Sequence, residues 1–404
     1  MSTNGDNVWI LGASMTKFGR YPDKDVIDIG AEAALAALDD GGVTIKDMDV
    51  LGAGCLAEAS SGVGQRLQKQ IGQTGIPVFN VANACATGAT AVRSVFLAIK
   101  AGEADMGLAV GLEQMGKVGL LGAANRARKD KHVFEANGRY GAVAGTEGIL
   151  GTGLMPGVFA QAGMEYAYEN DGVDFEQFAK VAEKNHAHST LNPLAQYQKA
   201  FSLEEVMTAE MIGYPNTLLM CCPTGDGAAA AVLVSEERLR SLSKEQQQRA
   251  VKISASVMTS DPYVERGQVQ PDVNTLTRMA ADKAYEQSGV DPQDLDLVEL
   301  HDCFATAELL HYDNLRLCEP GGAGKFIDER GPWRDGKIPV NVSGGLLSKG
   351  HPLGATGVAN IFEVTTHLRG EAGDRQVPDA KVGLTHVIGL GSACAVHVLE
   401  KAAI

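Results

Sequence analysis

No apolar run in the sequence is long enough to span a membrane, and no apolar segment of the secretory kind stands at its N-terminus. Paired cysteines are missing as well. The seven Cys are scattered without a repeating spacing, and an odd number of them does not make a disulfide framework. Together these absences point to a reducing, cytoplasmic setting. The last residues, Glu400-Lys401-Ala402-Ala403-Ile404, carry no Ser-Lys-Leu-type peroxisomal address. Positive charge is also short. Against 50 Asp and Glu there are 35 Lys and Arg, a net charge of -15, which argues against nucleic acid as the main partner. Any polyanionic ligand must then find a locally basic pocket. Trp9 and Trp333, the two tryptophans, show no functional pattern.

What is present is an ordinary globular balance, 45% hydrophobic and 21% charged, in a chain of 404 residues that needs two or three domains. Val8–Leu11 reads as a strand and Asp25–Leu38 as an Ala-rich amphipathic helix stopped by Gly41-Gly42. A capped turn, Gly42 to Asp49, then leads into another strand. The same pattern returns after a helix at Met279–Ser288: Gly42, Asp47 and Asp49 recur as Gly289, Asp294 and Asp296 at one constant offset. Pro77–Val81, a helix over Ala86–Ile99 and a strand at Met106–Val110 find their later counterparts in Ile338–Val342, a helix ending at Leu368-Arg369-Gly370, and Lys381–His386. The later copy is longer, and its extra residues fall at Cys318–Gly336. Each half alternates strand and helix, so each is expected to be a mainly parallel sheet covered by helices, the two stacked with helices between them. Between them a Gly-rich part, a polar helix (Phe175–His188) and a Pro/Gln loop interrupt the rhythm, and the apolar Ala228–Val234 returns to the sheet. The expected organisation is a first half over 1–114 completed by 220–268, an inserted loop domain over 115–219, and a second half over 269–404.

Three turns carry the chemistry. In Val78–Ala89 a strand ends in small residues and Cys85 stands where a helix begins. Unpaired N–H groups and the positive end of the helix dipole favour a thiolate there. A small buried cysteine in a tight strand–helix turn would look the same, so this stretch alone leaves both readings open. Val298-Glu299-Leu300-His301-Asp302-Cys303-Phe304 is a strand ending in His-Asp-Cys, and Lys349-Gly350-His351-Pro352-Leu353-Gly354 is a Gly-rich turn presenting a His. A zinc site built from His301, Cys303 and His351 lacks a fourth ligand, so no metal is expected. Strand ends related by the internal repeat carry Cys or His, and that suits acyl transfer: thiolate nucleophile, imidazole base and oxyanion donors. Cys55, Cys221, Cys318 and Cys394 read as structural.

These turns resemble the thiolase superfamily, and within it the sterol carrier protein X type. The residues that carry the resemblance are Asn83-Ala84-Cys85-Ala86-Thr87-Gly88, His301-Asp302-Cys303-Phe304 and Gly350-His351-Pro352-Leu353-Gly354-Ala355-Thr356-Gly357. Lys184-Asn185-His186-Ala187-His188-Ser189, Met220-Cys221-Cys222-Pro223-Thr224 and Leu368-Arg369-Gly370-Glu371-Ala372-Gly373 extend it over nearly the whole chain. Most thiolases carry Asn-Glu-Ala-Phe in place of His301-Asp302-Cys303-Phe304, and a second Cys where this chain has Val387. In the sterol-carrier type the acid/base Cys is instead the one in His-Asp-Cys-Phe, so the loss at Val387 and the gain at Cys303 agree.

The resemblance implies an α/β, layered αβαβα architecture of two pseudo-twofold halves. It also implies CoA-dependent, reversible cleavage of 3-ketoacyl-CoA through an acyl-enzyme on Cys85. His351 would be the base and Cys303 the acid. His301 and His351 would hold the thioester oxygen, and the backbone N–H groups of Cys85 and Gly389 the other oxyanion. CoA would be a co-substrate, with no permanently bound cofactor. Its contacts would come from Arg126, Arg128, Lys129 and Lys131 in the inserted region, with Cys222 and Ser343 near the pantetheine by family position. The expected partners are acyl-CoA, CoA and a second copy of the chain, in a homodimer or a higher homo-oligomer joined at sheet edges. The chain ends about where a thiolase domain would, so no appended sterol-carrier domain is expected. The alternatives are a decarboxylating ketoacyl-synthase-like condensing enzyme and a catalytically silent acyl-CoA- or lipid-binding protein of the same fold.

Overall fold

A computed structural model describes residues 7–118, 154–262, 273–390 and 392–401. Its first half opens with β1 (Val8–Met15), α1 (Val26–Asp40), β2 (Val50–Gly54) and α2 (Val63–Ile71). It continues through β3 (Val78–Val81), α3 (Thr87–Lys100) and β4 (Met106–Gln114). After α4 (Leu154–Glu169), α5 (Phe175–Ser189) and the small hairpin β5 (Met211–Gly213) and β6 (Asn216–Thr217), the chain returns to the sheet as β7 (Asp226–Ser235). The second half comprises β8 (Val251–Thr259), α6 (Thr275–Ser288), β9 (Leu297–Glu299), α7 (Ala305–Asn314), α8 (Leu353–Arg369), β10 (Val382–Gly389) and β11 (Ala393–Lys401). Helix α1 starts where expected because Asp25 accepts the N–H groups of Ile27 and Asp28, while Asp28 caps the Asp25 N–H in return. Among the described residues no helix is long and apolar enough to cross a membrane.

Nine strands form one mixed sheet in the order β3-β2-β4-β7-β1-β8-β11-β10-β9. Outward from the β1–β8 joint the two halves repeat one another: β1, β7, β4, β2 on one side and β8, β11, β10, β9 on the other. The order corrects three expectations. The halves are not separate sheets, because Val8–Ile10 pair with Val251–Ile253. They are mixed rather than mainly parallel: β2 runs parallel to β3 and β4, and β9 to β10, while β7 and β11 lie antiparallel to both neighbours. And β8, expected to complete the first half, pairs along most of its length with β11 and belongs to the second. The strand expected at Ile338–Val342 is reduced to a single bridge between Val298 and Val340. Pro339 has no N–H to give a ladder, Asn341 turns to φ +53, and its side-chain oxygen accepts the Leu300 N–H in place of a backbone carbonyl.

The sequence repeat has a physical cause. Asp49 accepts the N–H groups of Asp105 and Met106 at the start of β4, and Asp296 accepts those of Lys381 and Val382 at the start of β10. Each aspartate pins the entry of the next strand. Side chains alternate between layers: Val8 and Ile10 of β1 join a central core with α3 and α8, while Trp9 and Leu11 join an outer core with α1. A third core lies under α4, α5, α6 and α7 on the second half. Helices α3 and α8 approach most closely at glycines. A Cβ on Gly88 would lie 2.5 Å from the Gly354 carbonyl oxygen, and one on Gly357 would lie 2.3 Å from the Ala89 nitrogen. That close approach brings the start of α3 against the start of α8.

Candidate active site

Cys85, Cys303 and His351 hold the same place in their local chain. Each precedes the N-cap residue of a helix by one position: Ala86 caps α3, Phe304 caps α7 and Pro352 caps α8. Helices of 14, 10 and 17 residues therefore begin beside these three side chains, and the positive end of each dipole lies there. Such an arrangement favours negative charge developing on a ligand oxygen.

The Cys85 turn is tight. Ala84 sits at φ +47, a conformation costly for a residue with a Cβ. The Thr87 hydroxyl holds it, accepting the Asn83 N–H at 2.8 Å and donating to the Ala84 carbonyl at 2.6 Å. The end of β10 presses on this turn: a Cβ at Gly389 would lie 2.4 Å from the Asn83 oxygen. The N–H that reaches the Cys85 sulfur is that of Leu390, beside the expected Gly389. Val387, at the position of the family's second cysteine, packs with Ala86 and Ala393 as apolar filling.

The sulfur of Cys85 and ring nitrogens of His301 and His351 all lie within 4.8 Å of one another. The two imidazoles meet edge to face, centroids 5.1 Å apart at 77°. His351 Nδ1 lies 2.7 Å from the Thr356 hydroxyl, which donates its one proton to the Pro352 carbonyl at 3.0 Å. Thr356 can then only accept from His351, which places the imidazole proton on Nδ1 and leaves the Nε2 lone pair free. Nε2 is buried and has no protein partner. His301 is set by its own backbone N–H, which donates to His386 Nδ1 at 3.4 Å.

Electrostatics correct the expectation of a resting thiolate. Burial pushes the Cys85 thiol up to about 12, outweighing the lowering by the Leu390 and Cys85 N–H groups. Burial also pulls His301 down to about 3 and His351 well below the ordinary imidazole range. Neither ring carries the positive charge that would hold a thiolate, so the resting pair is thiol and neutral imidazole. Cys303 is raised well above the usual thiol range by burial first and then by Cys222, Cys85 and Asp302. Cys303 therefore rests as the thiol, the form in which an acid has a proton to give.

Cys222 donates its N–H to the Cys303 carbonyl at 3.0 Å and stands within electrostatic reach of Cys85, so three thiols share the centre. Ser343 does not fit the expected contact with pantetheine. It is fully buried, and its hydroxyl is spent on Glu299 at 2.6 Å and on the Gly345 N–H. Arg126, Arg128, Lys129 and Lys131 lie outside the described residues.

Sequence reasoning missed what holds these groups in place. Asp302, between His301 and Cys303, accepts the N–H groups of Leu346 and Leu347 and the side-chain amide of Asn185. The same amide donates to Glu308, which is paired with Lys184 at 2.7 Å, and all four residues are fully buried. Glu113 ties the turn after β2 to α8 through the N–H groups of Leu56, Ala57 and Gly354. The signal for the first group was the Lys184-Asn185 pair in an otherwise unexplained motif.

Comparison with known proteins is consistent along the chain. Family models described as "Thiolase, N-terminal domain" and "Thiolase C-terminal domain-like" match residues 8–199 and 266–401. Human "Sterol carrier protein 2" is 41% identical over 402 residues, covering 97% of this chain and 72% of that protein. An "Acetyl-CoA acetyltransferase" of Methanothermobacter thermautotrophicus is 34% identical over 400 residues, covering 98% of this chain and 100% of that protein. Among solved structures, the "Ltp2-ChsH2(DUF35) aldolase" superposes with a TM-score of 0.80 at 23% identity, covering 98% of each chain.

Proposed function

The chain belongs to the thiolase family, and from that premise we propose that it is a CoA-dependent acyltransferase that cleaves 3-ketoacyl-CoA into acetyl-CoA, or propionyl-CoA from a 2-methyl-branched substrate, and a shortened acyl-CoA. The observation that supports this most is the convergence of Cys85, His301 and His351 within 4.8 Å, with Cys303 beside them. His351 Nε2 takes the Cys85 proton as the sulfur attacks the keto carbon. Thiol and imidazole are both neutral at rest, so ionisation accompanies attack rather than preceding it. The alkoxide oxygen is held by backbone N–H groups at Cys85 and Gly389. Collapse breaks the Cα–Cβ bond, and the electron pair passes into the enolate of acetyl-CoA, whose oxygen faces His301 and His351. Cys303 gives its proton to the enolate carbon. CoA then attacks the acyl-enzyme, its thiol proton restores Cys303, and His351 returns its proton to Cys85. Losing one oxyanion donor from such a site raises a barrier by about 2.7–4 kcal/mol.

The CoA phosphates fall to Arg126, Arg128, Lys129 and Lys131 in this proposal, and the seven unpaired cysteines suit a cytoplasmic setting. Mixing the enzyme with a 3-ketoacyl-CoA in the absence of free CoA should release acetyl-CoA and leave one acyl group on Cys85, read by peptide mass spectrometry. An unmodified Cys85 with no acetyl-CoA formed would refute it. The Cys-His-His trio equally serves a decarboxylating condensing enzyme. CO₂ release from malonyl-CoA, with no thiolysis, would favour that second reading.

A homodimer joined at sheet edges is part of the same proposal. Strand β3 is one of the two edges of the sheet among the described residues, and Phe79 is 47% exposed there. Two β3 edges paired across a twofold axis would cover it. Light scattering behind a sizing column should give twice the chain mass at micromolar concentration; a monomer would contradict it.

A further inference from the structure

We propose that Cys85, His301 and His351 also form a binding site for one thiophilic divalent cation, Zn²⁺ or Cd²⁺, which occupies the centre in place of substrate and inhibits reversibly. The catalysis described above uses no metal, so this is a second property of the same side chains. The trio differs from the group of His301, Cys303 and His351 set aside on sequence grounds, where the expectation was of no metal.

Three observations carry the proposal. The ligand atoms of the trio lie within 4.8 Å of one another. Around a tetrahedral zinc, with bonds of about 2.3 Å to sulfur and about 2.0–2.1 Å to nitrogen, ligand atoms stand about 3.3–3.7 Å apart. Side-chain rotations closing the widest separation by about an ångström therefore suffice. Second, His351 is only 4% exposed, and its Nε2 lone pair has no protein partner. Such a nitrogen gains from a metal what it lacks from the protein. Third, the outer contact is already in place: Thr356 accepts from His351 Nδ1 at 2.7 Å, the arrangement that orients a ligating imidazole through its other nitrogen. His301 meets His351 edge to face, so the rings approach one point from different sides.

Binding forms one metal–sulfur bond and two metal–nitrogen bonds, and the Cys85 proton leaves to solvent. Cys85 is only partly buried, so a fourth position stays open to water or chloride. A Cys/His set selects zinc, cadmium and copper over magnesium and calcium, which prefer oxygen.

The test uses the whole enzyme, stripped of metal and kept reduced with a non-chelating phosphine. Adding ZnCl₂ should shield Cys85 from iodoacetamide, as mapped by peptide mass spectrometry, and EDTA should restore its labelling; MgCl₂ should do neither. Co²⁺ should give a thiolate-to-metal absorption band at one ion per chain, absent in Cys85→Ser. Thr356→Val should weaken Zn²⁺ binding by about 10–100-fold. Binding that survives Cys85→Ser would overturn the proposal, as would Zn²⁺ that shields Cys222 and Cys303 but leaves Cys85 reactive. So would a parent enzyme that takes up no Zn²⁺ at micromolar concentration. Each readout follows metal or thiol directly, so failure of thiolase activity and failure of metal binding are told apart.

Discussion

Replacing Cys303 with Ala is expected to leave Cys85 able to take an acyl group from a simple acyl-CoA while 3-ketoacyl-CoA turnover falls by about 10²–10⁴-fold, the usual worth of a positioned acid. Transfer of an acyl group from a simple acyl-CoA to Cys85 runs through the Cys85 sulfur, the His351 Nε2 and the backbone donors, and the CoA thiolate it expels is stable enough to leave without the proton that Cys303 would give it. Breaking the Cα–Cβ bond is different, because the enolate must receive a proton at carbon. Cys303 is 5% exposed, and its proton is held by burial and by the neighbouring thiols and Asp302. Exchange of the acetyl-CoA α-protons in D₂O, followed by NMR, should be lost in the same variant, while peptide mass spectrometry still finds acylated Cys85. The neighbouring thiol supplies the control. Cys222→Ser should keep α-proton exchange within a few-fold of the parent. Loss of exchange in Cys222→Ser, with exchange intact in Cys303→Ala, would transfer the acid role to Cys222.

The sequence made some of this legible and hid the rest for identifiable reasons. Asp49 and Asp296 recur because both pin a strand entry, and with Gly42, Asp47, Gly289 and Asp294 they make the pseudo-twofold legible without a fold. The turns bearing Cys85, His301 and His351 were visible because a strand, a run of small residues and a helix follow one another there. Their convergence depends on Gly88 and Gly357 letting two helices touch, and a glycine in a helix reads the same whether it meets a backbone or nothing. The state of Cys85 is hidden for a related cause: a helix start lowers a thiol pKa, but burial depends on everything packed above it and here outweighs the helix. Val340 keeps strand character in its composition and loses it to Pro339 and to the side chain of Asn341. Ser343 is taken up by Glu299, a partner distant in sequence that no local pattern displays. The polar residues of α5 are the least legible. Polarity along a helix suggests a solvated face, and nothing in the pattern distinguishes that from a buried ionic group.

That buried group is expected to be the most costly single point of failure in stability. Lys184 is fully buried, with its ammonium on Glu308 at 2.7 Å, the Asn185 carbonyl at 2.5 Å and the Val340 backbone carbonyl at 2.8 Å. Truncation to Ala leaves the Glu308 carboxylate with only the neutral donors Tyr312, Asn185 and Asn341, facing Asp302 across the shared Asn185 amide. An ion stranded in this way costs about 3–5 kcal/mol. In a chain of 404 residues that lowers the thermal midpoint by about 4–6 °C. The loss should depend on pH in one direction. Burial and the Glu308 charge already push Asp302 up. A carboxyl whose folded pKa is raised binds its proton more readily in the folded state, so stability rises as pH falls through that value. The deficit of Lys184→Ala against the parent should therefore shrink from pH 8 toward about pH 5. Lys184→Met combined with Glu308→Gln, which removes both charges, should recover more than half of it. Scanning calorimetry of the parent and both variants at the two pH values checks all three statements; a Lys184→Ala midpoint within about 1 °C of the parent would show that the pair is not under strain when broken. Because Asn185 also holds Asp302 between His301 and Cys303, the folded fraction of Lys184→Ala should turn over more slowly than the parent, linking an unexplained stretch of a polar-looking helix to the chemistry at Cys85 and Cys303.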